Sequence, residues 1–157
     1  MALEPAGVVG PLIEVPVATV LFVCKANAGR SQMSEALFAQ AAGGRHQALS
    51  AGSEADPEGR VHPVVVEVMR ELGIDLADRV PRRLSRGLVE RADVVVTMGC
   101  GDACPHVPGT RLVDWELEDP KGRPAGEVRA TRDEIERRVR ELVSELDRLD
   151  RGGGGEG

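Results

Sequence analysis

An almost unbroken apolar run, Val17 to Val23, ends on Cys24, passes through a short loop and opens into a helical pattern. A strand with one wet face would alternate polar and apolar residues, and this segment does not. It therefore demands cover on both faces, which in a small domain means a parallel sheet with helices above and below. Ligands in such sheets sit at the carboxyl ends of the strands, where Cys24 stands. An arginine, Arg30, follows six residues later at the start of the helix. The loop between them, Lys25-Ala26-Asn27-Ala28-Gly29, and Ser31 beyond it suit a tetrahedral oxyanion. Backbone N–H groups can wrap it, and the helix dipole and a guanidinium fork favour its charge. The same positive field stabilises a thiolate, the nucleophilic form of Cys24. Ser31 can donate a hydrogen bond to that sulfur. The alternative is a buried structural cysteine, common at strand ends; the strand before, the helix after, and Asn27 and Gly29 at positions able to take unusual backbone angles favour the anion loop.

The rest of the chain alternates in the same sense. Ser31–Ala41 carries Met33, Ala36, Leu37 and Ala41 on one stripe and stops at Gly43-Gly44. Gln47–Ala51 reads as a second strand. Pro63, suited to a first helical position, opens a helix with Val65, Val68, Met69 and Leu72 in register that stops at Gly73. Ser85 caps a short helix before the strand Asp93–Met98, and Thr110–Val113 reads as a fourth strand. The last helix, about Ala125 to Leu149, buries Ile135, Val139, Leu142, Leu146 and Leu149, and its Arg/Glu face reads as solvated. Residues 1–15 read as a flexible leader, 16–150 as one domain and 151–157 as a disordered Gly-rich tail.

Composition closes off several functions. The 157 residues suffice for one core, and a net charge of −6 argues against a nucleic-acid partner. No run has membrane-spanning length, and Met1–Pro16 lacks the basic and apolar regions of a signal peptide, so a cytoplasmic protein is expected. Three cysteines, an odd number, read as thiol chemistry rather than a disulfide framework.

The segment Val23–Ser31 resembles the phosphate-binding loop of the low-molecular-weight tyrosine phosphatase superfamily, which includes thiol-dependent arsenate reductases. The resemblance runs from Val17 to about Leu146 and takes in Ser50-Ala51-Gly52, Pro63, Gly73-Ile74-Asp75, Val94–Met98 and Asp119-Pro120. It implies a three-layer α/β sandwich with a four-stranded parallel sheet. It implies Cys24 as nucleophile, Arg30 as anion clamp and Asp119 as general acid, with arsenate, phosphate or sulfate as the oxyanion held by Lys25 to Ser31. Asn27, Glu35, Ser50 and Asp75 match positions that bind a potassium ion in some relatives; the alternative is that they only stiffen the loop by hydrogen bonds. No other cofactor is expected.

Cys100 and Cys104, in Thr97–Pro105, resemble the resolving pair of the reductases. Residues four apart in a helical turn have Cα atoms about 6 Å apart, inside the disulfide window, against about 13 Å if extended. A zinc site with His106 as third ligand lacks a second ligand pair, and Gly101-Asp102 reads as an exposed turn rather than incidental core. The aromatic content is two phenylalanines, one tryptophan and no tyrosine. Phosphotyrosine clefts have aromatic walls, but here Lys121 follows Pro120, Phe22 and Phe38 fall in core patterns, and Trp115 reads as a packing residue. The resemblance thus implies arsenate reduction by a relay of Cys24, Cys100 and Cys104, regenerated by thioredoxin or a small thiol. The alternatives are a phosphatase acting on phosphotyrosine or small phosphoesters, and a non-enzymatic oxyanion- or arsenite-binding redox sensor. His62 reads as an N-cap or surface residue and His46 as a strand-edge residue with no visible partner.

Overall fold

Helices and strands are interspersed along the chain in the computed structural model, which describes residues 17–99 and 108–156. The elements are β1 (Thr19–Cys24), α1 (Arg30–Ala42), β2 (Gln47–Gly52), α2 (Pro63–Arg70), α3 (Arg86–Arg91), β3 (Val94–Thr97), β4 (Arg111–Asp114) and α4 (Ala125–Glu156). The four strands form one parallel sheet in the order β2-β1-β3-β4. β1 is flanked by β2 and β3: the chain runs from it through α1 to β2 on one side, then crosses back through α2 and α3 to β3 on the other. The crevice of such an open sheet lies where the strand order reverses, beyond the end of β1.

The β1 run divides its side chains between two cores. Val20, Phe22 and Cys24 pack into the larger one with Met33, Phe38, Val65, Val68, Ile135 and Val139 from α1, α2 and α4. Leu21 and Val23 face the smaller one with Leu88 and Val89 of α3. Two-sided burial is why the run does not alternate. Each large side chain withdrawn this way contributes about 1.5–3 kcal/mol. Phe22 meets Phe38 and Trp115 with ring centroids at 5.6 and 5.8 Å, so Trp115 is a packing residue.

Pro63 occupies the first turn of α2, and Ser85 caps α3 by accepting the Leu88 N–H at 3.2 Å. Four expectations change. Val17 is half exposed and outside β1, because β2 begins pairing only at Thr19. Leu149 is 61% exposed rather than buried, because α4 has by then outrun α1, which ends at Ala42. α4 itself continues to Glu156, into the segment expected as a disordered tail. His46 also has a partner. Its Nε2 lies 2.8 Å from Asp147 Oδ1, and its ring packs on Phe38.

Candidate active site

β1 delivers Cys24 to the carboxyl edge of the sheet, where the thiol is buried. Three features bend the following loop around the sulfur. Asn27 takes a left-handed conformation, φ 54°, tolerable for asparagine, and turns its N–H toward Cys24 Sγ at 3.3 Å. Gly52, paired with Cys24 across β1 and β2, lies under the loop, and a β-carbon there would sit 2.7 Å from the Asn27 nitrogen and the Lys25 carbonyl. Gly29 precedes the first residue of α1.

Ser31 Oγ is 2.8 Å from Cys24 Sγ. Asn27 Nδ2 donates to the same oxygen at 2.6 Å, which leaves the hydroxyl proton for the sulfur. The Asn27 carboxamide is held in that sense because its Oδ1 accepts from Arg82 N at 2.8 Å and Gln32 Nε2 at 3.1 Å. The thiol therefore faces two donors, as a thiolate requires.

Arg30 is 7% exposed, a cation in the protein interior. Nη1 donates to the Leu117 carbonyl at 3.4 Å, and Nη2 lies 3.6 Å from Asp119 Oδ2. Nε has no partner. A buried donor left unmatched costs about 1–3 kcal/mol, a cost that an anion accepting from Nε and Nη2 removes. Asp119, half exposed, accepts the Lys121 N–H at 3.0 Å, and Pro120 closes over Gly29. The structure thus links Cys24 with Ser31 and Asn27, and Arg30 with Asp119, around the loop.

His62 was not read as part of this site, yet it borders it. Its N–H donates to the Ala28 carbonyl at 2.9 Å, pinning the loop, and its ring lies against Gly29. Its side chain makes no capping bond. Desolvation lowers its pKa below the usual imidazole value, with Lys121 and Arg30 adding to the fall and Asp119 opposing it. The available signal was positional: His62 lies in the loop after β2, and such loops converge at this edge of the sheet.

Cys100 and Cys104 lie outside the described residues. The chain leading to them is well placed. Met98 N donates to the Val23 carbonyl at 2.8 Å, and Gly99, φ 87°, packs against the Arg30 guanidinium.

Residues 19–151 match the profile described as low molecular weight phosphotyrosine protein phosphatase. The chain belongs to that family. Arsenate reductase 1 of Bacillus cereus is 36% identical over 129 residues, spanning 80% of this chain and 93% of that one. The thioredoxin-dependent arsenate reductase of Corynebacterium glutamicum superposes with a TM-score of 0.70 at 40% identity, over 85% of this chain and 63% of that chain. The low molecular weight protein tyrosine phosphatase of T. tengcongensis superposes at 0.73 with 28% identity, over 82% and 99%.

Of the four residues matched to the family's potassium position, three stand together and the fourth stands apart. Asn27, Glu35 and Ser50 line one small cavity, and Ser50 donates to Glu35 Oε1 at 2.5 Å. Asp75 is not among them; it is exposed, pairs with Arg70 at 3.6 Å and accepts the Ala77 N–H at 2.9 Å. Arg79 and Arg82 line the cavity instead.

Proposed function

We propose that this protein reduces arsenate to arsenite through a relay of Cys24, Cys100 and Cys104. The observation that carries the reading is the contact of Gly99 with the Arg30 guanidinium. It brings the chain to the anion pocket one residue before Cys100. The burial of Phe22, Phe38 and Trp115 in the core supports it, because no other phenylalanine, tryptophan or tyrosine exists to stack a phosphotyrosine ring.

Arsenate binds across Arg30 Nε and Nη2 and the loop N–H groups. The Cys24 thiolate forms a sulfur–arsenic bond, and Asp119 protonates the departing hydroxide to water. For that step Asp119 must let go of Arg30, and the oxyanion, competing for the same guanidinium, favours this. Cys100 then attacks Cys24 Sγ. The sulfur–arsenic electron pair stays on arsenic, which falls from As(V) to As(III), while two thiols become one disulfide. Cys104 attacks Cys100, frees the Cys24 thiolate and leaves a Cys100–Cys104 disulfide. Thioredoxin, or a small thiol, reduces that bond. The names of the arsenate reductase relatives support this assignment.

Asp119, once released from Arg30, is equally placed to protonate an ester oxygen, so hydrolysis of a small phosphoester is the second reading. NADPH oxidation coupled through thioredoxin reductase and thioredoxin, with and without arsenate, separates the two. Arsenate-dependent turnover that is lost in Cys100→Ala and Cys104→Ala supports the relay. Full turnover in either variant, or phosphatase activity with no reductase activity, sinks it.

A further inference from the structure

The cavity beside the loop is about 60 Å³ and is lined by Asn27, Gln32, Glu35, Ser50, Arg79 and Arg82. Among the described residues Glu35 is the single carboxylate in that lining; Arg79 brings its guanidinium to it, and Arg82 contributes its backbone N–H. Arg79 Nη1 lies 3.5 Å from Glu35 Oε1 and donates to Gln32 Oε1 at 3.3 Å. Gln32 therefore turns its Nε2 the other way, toward the Asn27 carbonyl at 3.2 Å and Asn27 Oδ1 at 3.1 Å. Gln32 Nε2 and the Arg82 N–H, at 2.8 Å, together occupy Oδ1, so Asn27 Nδ2 turns to Ser31, whose Oγ lies 2.8 Å from the Cys24 sulfur. One unbroken chain thus joins a fixed cation to the nucleophile: Arg79, Gln32, Asn27, Ser31, Cys24. Gln32 and Asn27 are at most 2% exposed, so water does not compete for these bonds.

We propose that the Arg79 guanidinium is a built-in cation, doing here what a potassium ion would do beside Glu35 and Ser50. It neutralises Glu35, holds Gln32 in one orientation and so keeps two donors aimed at Cys24 with no metal ion bound. Arg79 is a positioning residue acting through Gln32. A second monovalent cation would have to enter a cavity of about 60 Å³ whose described carboxylate, Glu35, already has the Arg79 guanidinium beside it. The inference concerns the reactivity of the thiol and stands whether the oxyanion is arsenate or phosphate.

The test uses the full chain carrying Cys100→Ser and Cys104→Ser, in which Cys24 is the single remaining thiol. Iodoacetamide alkylation is timed at fixed pH, and melting temperature is recorded, in potassium and in sodium chloride at equal ionic strength. The unsubstituted Arg79 protein is expected to give the same rate and the same melting temperature in both salts. Arg79→Ala should alkylate roughly two- to fivefold more slowly, whereas Arg79→Lys, which keeps the charge, should stay within about a factor of two of the parent. Three outcomes overturn the proposal: a potassium-specific rise in rate or melting temperature in the parent, a parent-like rate in Arg79→Ala, or an Arg79→Lys rate as low as that of Arg79→Ala. Because no arsenate, phosphate or thioredoxin enters the measurement, its failure is distinct from failure of the reductase reading.

Discussion

Gly99 packs so closely on Arg30 that a β-carbon at Gly99 would overlap the guanidinium Nη1. The first residue of α1 and the last described residue before the two-cysteine segment thus share one volume. The fit couples the anion clamp to the strand end that precedes Cys100. Gly99→Ala should therefore fail twice. Its φ of 87° costs a side chain about 1–2 kcal/mol, and the added methyl group displaces Arg30. The expected outcome is a melting temperature lower by several degrees, with phosphate or arsenate affinity reduced by more than the stability loss explains. Binding followed by calorimetry checks it, and unchanged oxyanion affinity would refute it.

Gly29 plays the matching part for the acid loop. A β-carbon there would lie 2.6 Å from Pro120 Cγ, and the proline ring cannot fold aside as a flexible side chain would. Gly29→Ala should push Asp119 off the pocket. Displacements of about 1 Å at a reacting centre can cost up to about a hundredfold in rate, so kcat should fall roughly ten- to a hundredfold with little change in melting temperature. Steady-state kinetics beside a thermal scan would show it; an unaltered kcat would mean that Pro120 moves freely.

His62 makes stability depend on pH with a definite sign. Burial lowers its pKa in the folded protein below the ordinary 6.5. The fold thus holds fewer protons here than the unfolded chain does. This contribution is present in full above 6.5 and is lost as pH falls through the lower folded value. Melting temperature should therefore drop between pH 7 and pH 5, and the drop should be shallower in His62→Gln. Parallel slopes for the two proteins would exclude His62 as the cause.

Glu71 ties the end of α2 to α4. Its carboxylate accepts from Arg129 at 2.7 Å and from the buried Arg132 at 2.7 Å, and these hydrogen bonds hold its pKa down to about 2 from 4.5. Its stabilisation is complete above 4.5 and is lost as pH falls through about 2. Glu71→Gln should melt below the parent at neutral pH, and the gap should close in acid. Urea denaturation at several pH values would measure this, and a gap that persists at pH 2 would contradict it.

Much of the architecture was legible because the local signals agreed with one another. The unbroken run into Cys24 required two-sided cover, and Pro63 and Ser85 marked their helix starts correctly. The loop residues were legible for the same reason, since a strand end, an asparagine able to take positive φ and a helix start form one contiguous unit. His62, Gln32 and Arg79 were not. Nothing in their spacing sets them apart, and their roles come from contacts across gaps of more than thirty residues, as between Arg79 and Gln32 or between His62 and Gly29. Asp75 misled for the opposite reason: adjacency to a matching motif did not bring its carboxylate to Glu35 and Ser50.

The sequence alone determined the parallel sheet, the thiol at its central strand end and the arginine behind the loop, because hydrophobic pattern and backbone preference act between near neighbours. Only the tertiary structure decided which groups meet around that thiol. The Arg30 Nε left without a partner among the described residues, the Gly99 contact and the guanidinium beside Glu35 depend on how separate segments pack, and packing has no local signature from which to read it.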